Sequence, residues 1–284
     1  TKFTRIYNFL IDKQVIRPEQ IVTPGIMDQE FMDQHLEPKY QEQLKSSKYI
    51  AKITEVNPAK LLPNFLAKKK IITPMLISST GTIMATHAAI QRGWAINIGG
   101  GYHHASKDYG HGFCAINDIT MAIKTALLKK EIAKVLYIDL DAHQGDGPTK
   151  DFKNNKKVYI LDVFNEQIFP NDQKAQERID FKIALPPRTQ DKDYLKLLSN
   201  ALEQIPKDFQ LLFYNAGTDI LSGDNLGNLD ISPNGIIKRD EFIFQFAKEN
   251  QIPIIMVLSG GYQKNNAKII ANSIENLFKK KLIF

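Results

Sequence analysis

Five short apolar runs rich in β-branched residues divide the chain, and each ends in glycine, aspartate, asparagine or tyrosine. The runs are WAINIGGG at 94–101, KVLYIDLD at 134–141, KVYILDVFN at 157–165, LLFYNAGTD at 211–219 and PIIMVLSGGY at 253–262. Helix-like stretches separate or flank them, at 80–92, 117–130, 192–205, 235–250 and 265–279. Short buried strands that alternate with helices predict an α/β fold, with a central, mostly parallel sheet and helices on both faces.

The composition fits one globular domain. The chain has 284 residues, of which 43% are hydrophobic and 24% charged, as is typical of folded α/β proteins. The sequence contains no internal repeat or linker, so we predict a single domain over residues 1–284. No apolar run reaches the roughly 18 residues that a membrane span needs. The start, TKFTRIYNFLIDKQ, lacks the apolar core and cleavage site of a signal peptide.

Charge and cysteine usage narrow the function classes. The formal net charge is +6, but the lysines lie in short dispersed clusters rather than in a basic stripe interleaved with aromatic residues. A solvated lysine-rich surface is therefore favoured over a nucleic-acid platform. The single cysteine, Cys114, excludes an intramolecular disulfide and a cysteine-rich zinc site. We expect a monomer in the cytoplasm, with no nucleic-acid partner.

Polar side chains gather where the predicted strands end. They are Asp139, Asp141 and His143 after one strand, Asp219 after another, His103 and His104 after a third, and Tyr262 after a fourth. In open parallel sheets the ligand binds beyond the carboxyl ends of the strands. Because reactive side chains follow four predicted strands at the same edge of the sheet, we predict a functional site there rather than four solvated loops.

Two carboxylates and a histidine form a candidate metal site. Asp141 and His143 are two positions apart, so their side chains point the same way in an extended segment. Asp219 is the best third ligand, since catalytic zinc takes three protein ligands and keeps one position open. Two carboxylates and one histidine are harder ligands, in the hard–soft sense, than three histidines, so Fe²⁺ or Co²⁺ could replace Zn²⁺. A lone D-x-H occurs by chance and an aspartate after a strand often caps a helix, so only the combination favours a metal.

Two histidines and a tyrosine supply candidate acid–base and oxyanion groups. His103 and His104 follow three glycines, where backbone can approach a ligand, and histidine suits proton transfer near neutral pH. Each needs a carboxylate to fix its tautomer, and Asp139 and Asp146 are available. Tyr262 could donate a hydrogen bond to an oxyanion, although an isolated tyrosine is more often packed or on the surface.

Four separated motifs resemble those of a known family. GGGYHHASKDYGHGFCAINDI, YIDLDAHQGDG, FYNAGTD and SGGYQ are similar, in order and spacing, to the zinc-dependent histone deacetylases, which share the three-layer arginase/deacetylase fold. The resemblance covers nearly the whole chain and is clearest from about residue 60 onward. Further stretches, among them RGWAINIGGG, YNAGTDILSGD and SPNGIIKRDE, look most like the class IV, or eleventh-type, subgroup. The many lysines and asparagines fit a bacterial member.

The resemblance implies a role for each side chain of the site. The implied zinc ligands are Asp141, His143 and Asp219. The implied catalytic residues are His104 as general base and then acid, His103 as its electrostatic neighbour, Asp139 and Asp146 as carboxylates that orient the two histidines, and Tyr262 as the oxyanion donor.

The resemblance also implies a substrate channel and a second cation. The implied substrate-binding residues are Gly112, Phe113, Phe169 and Gly261. In the family a monovalent cation, K⁺, lies beside the zinc ligands, and the matching positions here are near Asp139, His143 and Asp162.

Two features depart from the family. The family has a further segment ahead of the helix that here begins near Phe3, and that segment contributes a strand and part of the pocket floor. The loop of Lys107, Tyr109 and His111 is particular to this chain, and we expect His111 to be a solvated loop residue rather than part of the entrance.

Three functions remain open. The leading hypothesis is zinc-dependent hydrolysis of Nε-acyl-lysine amides on proteins or peptides, with long fatty acyl groups implied by the class IV resemblance. The small residues of GGGY, with Gly110 and Gly112, would permit a roomy acyl pocket. The second is hydrolysis of a small acylated amine such as an acetylpolyamine, for which Asp108, Glu166 and Asp224 are candidate gate residues. The third is an inactive acyl-lysine binding module, which the intact set of site residues disfavours.

Overall fold

A sheet of six parallel strands forms the centre of the computed structural model, which describes residues 1–283. The strands are β1 (Trp94–Asn97), β2 (Val135–Asp139), β3 (Val158–Asn165), β4 (Phe181–Leu185), β5 (Leu211–Asn215) and β6 (Ile254–Val257). Their order across the sheet is β1-β6-β5-β2-β3-β4, and every neighbouring pair is parallel. The predicted α/β class is confirmed.

Helices cover both faces of the sheet. They are α1 (Lys2–Asp12), α2 (Gln29–His35), α3 (Pro38–Gln43), α4 (Ser47–Thr54), α5 (Asn64–Ala67), α6 (Thr73–Arg92), α7 (Asp118–Leu128), α8 (Asp146–Asp151), α9 (Gln173–Gln176), α10 (Asp191–Gln204), α11 (Pro233–Glu249) and α12 (Asn266–Lys279). α1 and α10 to α12 pack on one face, and α6 and α7 on the other, which gives the expected three layers. Within residues 1–283, no helix has the length and apolar character needed to cross a bilayer.

Alternate residues of the central strands face opposite layers. In β2, Leu136 and Ile138 belong to the core beneath α1 and α10 to α12, whereas Val135 and Tyr137 belong to the core beneath α6 and α7. All four side chains are fully buried. The strand therefore reads as a continuous apolar run, as strands of parallel sheets do, and polar side chains gather where it ends.

Three helices that the sequence patterns did not indicate, α2 to α4, form a small separate core beside α6. They also hold the loop that follows β1. The Tyr40 hydroxyl donates to the backbone oxygen of Ala115 at 2.7 Å, and the Phe113 N–H donates to the backbone oxygen of Ile53 at 3.2 Å. This N-terminal part of the chain therefore shapes one side of the carboxyl edge of the sheet.

The strand predictions needed two corrections. β4 was not predicted, because it is a short edge strand in which buried residues alternate with exposed ones and Lys182 interrupts the apolar run. The predicted runs at 94–101 and 253–262 are longer than the strands, which end at Asn97 and Val257. After β1 and after β6, the remaining residues of the predicted run form a glycine-rich turn that leaves the sheet.

A buried arginine ties the ends of β2 and β5 together. Arg239 of α11 is fully buried, and its guanidinium donates to the backbone oxygens of Leu140 (3.3 Å), Ala216 (3.2 Å) and Gly217 (2.5 Å). Asp240 lies 2.8 Å from the guanidinium and balances its charge. Because such a pair is stable only while every partner is present, removal of one member leaves an uncompensated buried charge.

Replacing Arg239 by methionine is therefore expected to lower the free energy of unfolding by about 3–5 kcal/mol. Urea unfolding followed by circular dichroism measures the change. Arg17→Met is the control, because the Arg17 side chain is exposed and lies 3.9 Å from Glu19, and its change should stay within about 0.5 kcal/mol. Equal free energies of unfolding for the two variants would show that Arg239 does not stabilise the fold.

Candidate functional site

Loops that follow parallel strands meet at the carboxyl edge of the sheet. The predicted site residues that they bring together are His103, His104, Asp139, Asp141, His143, Asp146, Asp219 and Tyr262. Parallel pairing makes this convergence unavoidable, because neighbouring strands all end on the same side. In the register of the sheet, Asp139 lies beside Asn215 of β5 and Asp162 of β3.

Asp141, His143 and Asp219 converge on one point. The Nδ1 atom of His143 lies 3.1 Å from Asp141 Oδ1 and 2.8 Å from Asp219 Oδ2. One ligand atom from each residue lies within 4.8 Å of the others, and all three side chains are buried. Ligand atoms about 2.1 Å from a tetrahedral zinc ion lie roughly 3.4 Å apart, so small shifts would adapt these atoms to a metal.

The charge of this triad fits a divalent cation. Among residues 1–283, no lysine or arginine forms an ion pair with Asp141 or Asp219. Burial opposes protonation of His143, but its hydrogen bonds to the two carboxylates outweigh burial and raise its pKa to about 11. Burial and the charge of Asp141 raise the pKa of Asp219 to about 6. Such strongly shifted groups in one buried cluster are typical of functional sites.

Two glycines let the loops close over the carboxylates. A Cβ atom at Gly217 would lie 2.1 Å from Asp141 Oδ2, and one at Gly260 would lie 2.6 Å from oxygens of Asp141 and Asp219. Backbone donors then fix these oxygens. The Gly260 N–H donates to Asp141 Oδ2 and the Ala142 N–H donates to Asp219 Oδ1, each at 2.9 Å.

His103 is held by a buried carboxylate. Its Nδ1 atom lies 2.9 Å from Asp139 Oδ2, and its Nε2 atom lies 3.6 Å from Asp141 Oδ1. Asp139 also accepts hydrogen bonds from Asn215 and from the Tyr137 hydroxyl. Burial opposes protonation of His103, but the charges of Asp139 and Asp141 outweigh burial and raise its pKa to about 10. His103 therefore carries a positive charge at neutral pH.

His104 has the opposite character. Its Nδ1 atom lies 2.8 Å from Asp146 Oδ1, and its ring centroid lies 4.1 Å from that of His103. Burial and the positive charge of His103 lower the pKa of His104 to about 3. The neutral ring donates through Nδ1 to Asp146, which leaves Nε2 able to accept a proton. In active sites, neighbouring titratable groups whose pKa values shift in opposite directions often divide the roles of base and fixed charge.

Tyr262 lies at the mouth of the site. Its backbone N–H donates to Asp224 Oδ2 at 2.9 Å, and its ring centroid lies 5.9 Å from that of Phe113. Half of the residue is exposed. Partial burial and the charges of Asp219 and Asp141 raise the pKa of Tyr262 above its ordinary value, so the hydroxyl keeps its proton and can donate.

Two residues fix the loop that carries this tyrosine. Gly261 has a φ of +119°, and a Cβ atom there would lie 2.0 Å from Asn266 Nδ2. Lys2 of α1 donates from Nζ to the backbone oxygens of Ser259 (2.6 Å) and Gly260 (3.1 Å). Burial lowers the pKa of Lys2 to about 8, although nearby carboxylates act to raise it. Lys2 was not predicted from the sequence, because a lone lysine near the start of the chain belongs to no motif.

Two of the predicted channel residues, Gly112 and Phe169, lie against His104. Phe113 and Phe169 are exposed on the rim, and the Phe169 ring centroid lies 5.0 Å from that of His104. Gly112 lies between His104 and Phe169, since a Cβ atom at position 112 would be 2.6 Å from His104 Cδ2 and 2.8 Å from Phe169 Cε1. A side chain at position 112 would therefore push the wall away from the histidine.

Two expectations about the loop after β1 were wrong. His111 is not a solvated loop residue, because its Nε2 atom lies 2.9 Å from Asp146 Oδ2 and its ring centroid lies 5.1 Å from that of Phe169. Gly110 does not open a roomy pocket, because a Cβ atom there would lie 2.5 Å from the Tyr40 hydroxyl. The glycines of this loop permit close packing of the backbone rather than free space.

Two further buried acids support the site. Asp118 accepts hydrogen bonds from the backbone N–H groups of Gly101 (2.9 Å) and Tyr102 (2.8 Å), and so holds the loop that carries the histidines. The sequence did not single out Asp118, because an aspartate that begins a helix looks like an ordinary capping residue. Asp162 accepts from the Gly145 N–H through Oδ2, but its buried Oδ1 has no hydrogen-bond partner. Burial raises the pKa of Asp162.

Known proteins resemble this chain over almost its full length. The family model described as the histone deacetylase domain matches residues 1–278. Histone deacetylase 2 of Arabidopsis thaliana is 46% identical over 286 residues, which cover 100% of this chain and 74% of that protein. An uncharacterized protein of Picosynechococcus sp. is 31% identical over 274 residues, which cover 93% of this chain and 86% of that protein.

A solved structure shares the fold. The crystal structure of an HDAC homologue complexed with SAHA has a TM-score of 0.77 to this chain, with 22% sequence identity, and the match covers 98% of this chain and 77% of that one. At this identity the likeness shows the fold. Because the family model spans residues 1–278 and a relative that is 46% identical matches the whole chain, the protein belongs to the histone deacetylase family.

Proposed function

We propose that this protein hydrolyses Nε-acyl-lysine amides of proteins or peptides with a bound zinc ion. Its family membership supports a deacetylase-like hydrolase. The observation that carries the finer assignment is the pair of histidine–carboxylate contacts, His103 with Asp139 and His104 with Asp146, beside a metal-binding triad. Amide hydrolysis needs a group that takes a proton from water and later returns it to the amine, and His104 can supply it.

Asp141, His143 and Asp219 would hold the zinc ion. Their buried oxygen and nitrogen donors fit Zn²⁺, and they also suit Fe²⁺ or Co²⁺. When bound, the ion polarises the acyl carbonyl and lowers the pKa of water towards about 7. These three residues would leave one coordination position free for water or substrate, as catalytic zinc sites do.

His104 moves the proton in this mechanism. Its neutral imidazole, oriented by Asp146, takes a proton at Nε2 from the attacking water while the water oxygen bonds to the acyl carbon. When the carbon–nitrogen bond breaks, the same nitrogen gives the proton to the departing lysine amine. One water is consumed, and the products are a carboxylate and a free lysine side chain. The ring of His103 lies beside that of His104, with their centroids 4.1 Å apart, and its positive charge would stabilise the negative transition state.

Tyr262 would complete the oxyanion site. Its hydroxyl keeps its proton because the pKa is raised, and it lies near enough to Asp141 and Asp219 to be affected by their charges. A donor in that position stabilises the carbonyl oxygen as negative charge develops on it. Phe113, Phe169, Gly112 and Gly261 would line the approach of the acyl-lysine.

A monovalent cation, K⁺, near Asp139, His143 and Asp162 is a further part of the proposal. The buried Oδ1 atom of Asp162 has no hydrogen-bond partner, and its neighbour in the sheet register is the carboxylate Asp139. A buried unpaired carboxylate oxygen is costly, and a cation would satisfy it. We also propose that residues 1–284 work as one catalytic domain, as a cytoplasmic monomer.

The structure gives little support to a small acylated amine as substrate. Such a substrate needs an acidic gate, but the buried Asp224 already accepts backbone hydrogen bonds from Leu226 (3.0 Å), Gly227 (3.4 Å) and Tyr262 (2.9 Å). The other two candidates, Asp108 and Glu166, are exposed. An inactive binding module would have no need of a neutral His104 held by its own carboxylate.

The first test is hydrolysis of one lysine peptide that carries either acetyl or myristoyl. Zinc-loaded protein should release the acid, and chelator-treated protein should not, because the triad alone cannot activate water. Released acetate or myristate is quantified by mass spectrometry. Release of myristate with little acetate supports the class IV, long-chain assignment, and the reverse supports an ordinary deacetylase. No release of either acid by folded, zinc-loaded protein would overturn the proposed function.

Tyr262→Phe removes one hydroxyl from the oxyanion site. We expect kcat to fall by roughly 10²–10³, the usual loss for one oxyanion donor. Tyr7→Phe is the matched control, since Tyr7 lies partly exposed on α1 and should leave kcat unchanged. Steady-state kinetics with the acyl-lysine peptide measure both variants. A Tyr262→Phe enzyme that keeps most of its turnover would remove Tyr262 from the mechanism.

Asp219→Asn removes one negative ligand from the triad while keeping its shape. Zinc should raise the melting temperature of the unaltered protein, because binding to the folded state stabilises it, and should raise that of the variant much less. The bound zinc per chain, measured by elemental analysis after dialysis, should fall in parallel. Asp208→Asn, on an exposed carboxylate paired with Lys134, is the control and should bind zinc normally. Equal zinc content in both variants would rule out Asp219 as a ligand.

A further inference from the structure

A histidine at the mouth of the site shares the carboxylate that holds His104. Asp146 Oδ1 lies 2.8 Å from His104 Nδ1, and Asp146 Oδ2 lies 2.9 Å from His111 Nε2. Because an ionised carboxylate only accepts hydrogen bonds, both nitrogens act as donors. The side chain of His111 is 32% exposed, whereas that of Asp146 is fully buried. His111 therefore reaches from the surface to the group that orients His104.

The same histidine also packs against the aromatic wall. Its ring centroid lies 5.1 Å from that of Phe169 and 5.5 Å from that of His104, and the latter two lie 5.0 Å apart. All three pairs meet edge-on, with interplanar angles of 64° to 77°, which is a favourable arrangement for aromatic rings. The rings form a closed triangle, so displacement of one would disturb the other two.

The surroundings of Asp146 favour hydrogen bonding over a second metal. By distance alone, His104, His111 and Asp146 could hold an ion. However, the Lys150 ammonium already lies 2.9 Å from Asp146 Oδ2, and the Tyr109 hydroxyl donates to the same oxygen at 3.3 Å. A divalent ion would face that positive charge and would take the nitrogen through which Asp146 orients His104.

We propose that His111 is a positioning residue with two separable effects on deacylation. Its Nε2–H helps Lys150 and Tyr109 to hold the second oxygen of Asp146 and, through that carboxylate, the orientation of His104. Its ring braces Phe169, the wall along which the acyl-lysine would run. The inference rests on the proposed function, because it concerns the same base and the same channel.

Two substitutions separate these effects. His111→Phe keeps an aromatic ring and removes the donor, so kcat should fall about tenfold, as for other residues that orient a catalytic group, while KM stays within about twofold. His111→Gln keeps a donor near the position of Nε2 and removes the ring. It should keep kcat within about twofold and raise KM for the acyl-lysine peptide roughly two- to tenfold.

A second histidine–carboxylate pair on the surface provides the control. His87 of α6 lies 3.0 Å from Glu131, and its side chain is half-exposed. His87→Phe should change neither kcat nor KM. Thermal unfolding of all three variants checks that each remains folded.

A readout that does not need turnover separates this inference from the proposed function. With ¹⁵N-labelled histidine, the Nδ1–H of His104 should give a low-field resonance, identified by its loss in His104→Gln. His111→Phe should shift that resonance, whereas His111→Gln and His87→Phe should leave it in place. This holds even if no acyl-lysine peptide is hydrolysed. The proposal is overturned if the Phe and Gln variants of His111 behave alike, or if neither differs from the His87 control.

Discussion

Several negative charges buried at one edge of the sheet are the constraint on which the rest of the structure depends. Asp139, Asp141, Asp162 and Asp219 are all at most 1% exposed, and the parallel register sets Asp139 directly beside Asp162. Burial of an uncompensated carboxylate costs several kcal/mol, so a cluster of four persists only if positive charge and hydrogen-bond donors are built around it. Imidazoles and backbone N–H groups provide part of this compensation, and the proposed cations would provide the rest.

Turning backbone donors towards the carboxylates has a consequence on the far side of each loop. When N–H groups such as that of Gly260 point inward, the neighbouring carbonyl groups point away from the cluster and need donors of their own. Arg239 donates hydrogen bonds to the carbonyl oxygens of Leu140 and Gly217, and Lys2 donates one to the carbonyl oxygen of Gly260. Two cationic side chains thus bind the backbone behind the acidic centre, which explains why residues remote in sequence fix the geometry of the carboxylates.

The sequence predicted the features that follow from short-range pattern. Buried parallel strands gave apolar runs, and the two-residue spacing of Asp141 and His143 put both side chains on one side. Features that depend on long-range packing were missed. Lys2 lies 257 positions from its partner Ser259, and no local pattern connects them. His111 was wrongly expected in solvent, because loop composition shows neither the carboxylate behind it nor the ring beside it.

The two histidine–carboxylate pairs have the same residues but different surroundings, and this difference separates their chemistry. Asp139 has no lysine or arginine partner among residues 1–283, so its full charge, with that of Asp141, keeps His103 protonated. Asp146 pairs with Lys150, at 2.9 Å, and the hydrogen bond and charge of Asp146 act to raise the pKa of His104. Burial and the positive charge of His103 outweigh Asp146 and lower the pKa of His104 to about 3, so its ring is neutral at neutral pH. Burial and the positive charge of His103 therefore give His104 a protonation state opposite to that of its neighbour, although each histidine contacts an aspartate.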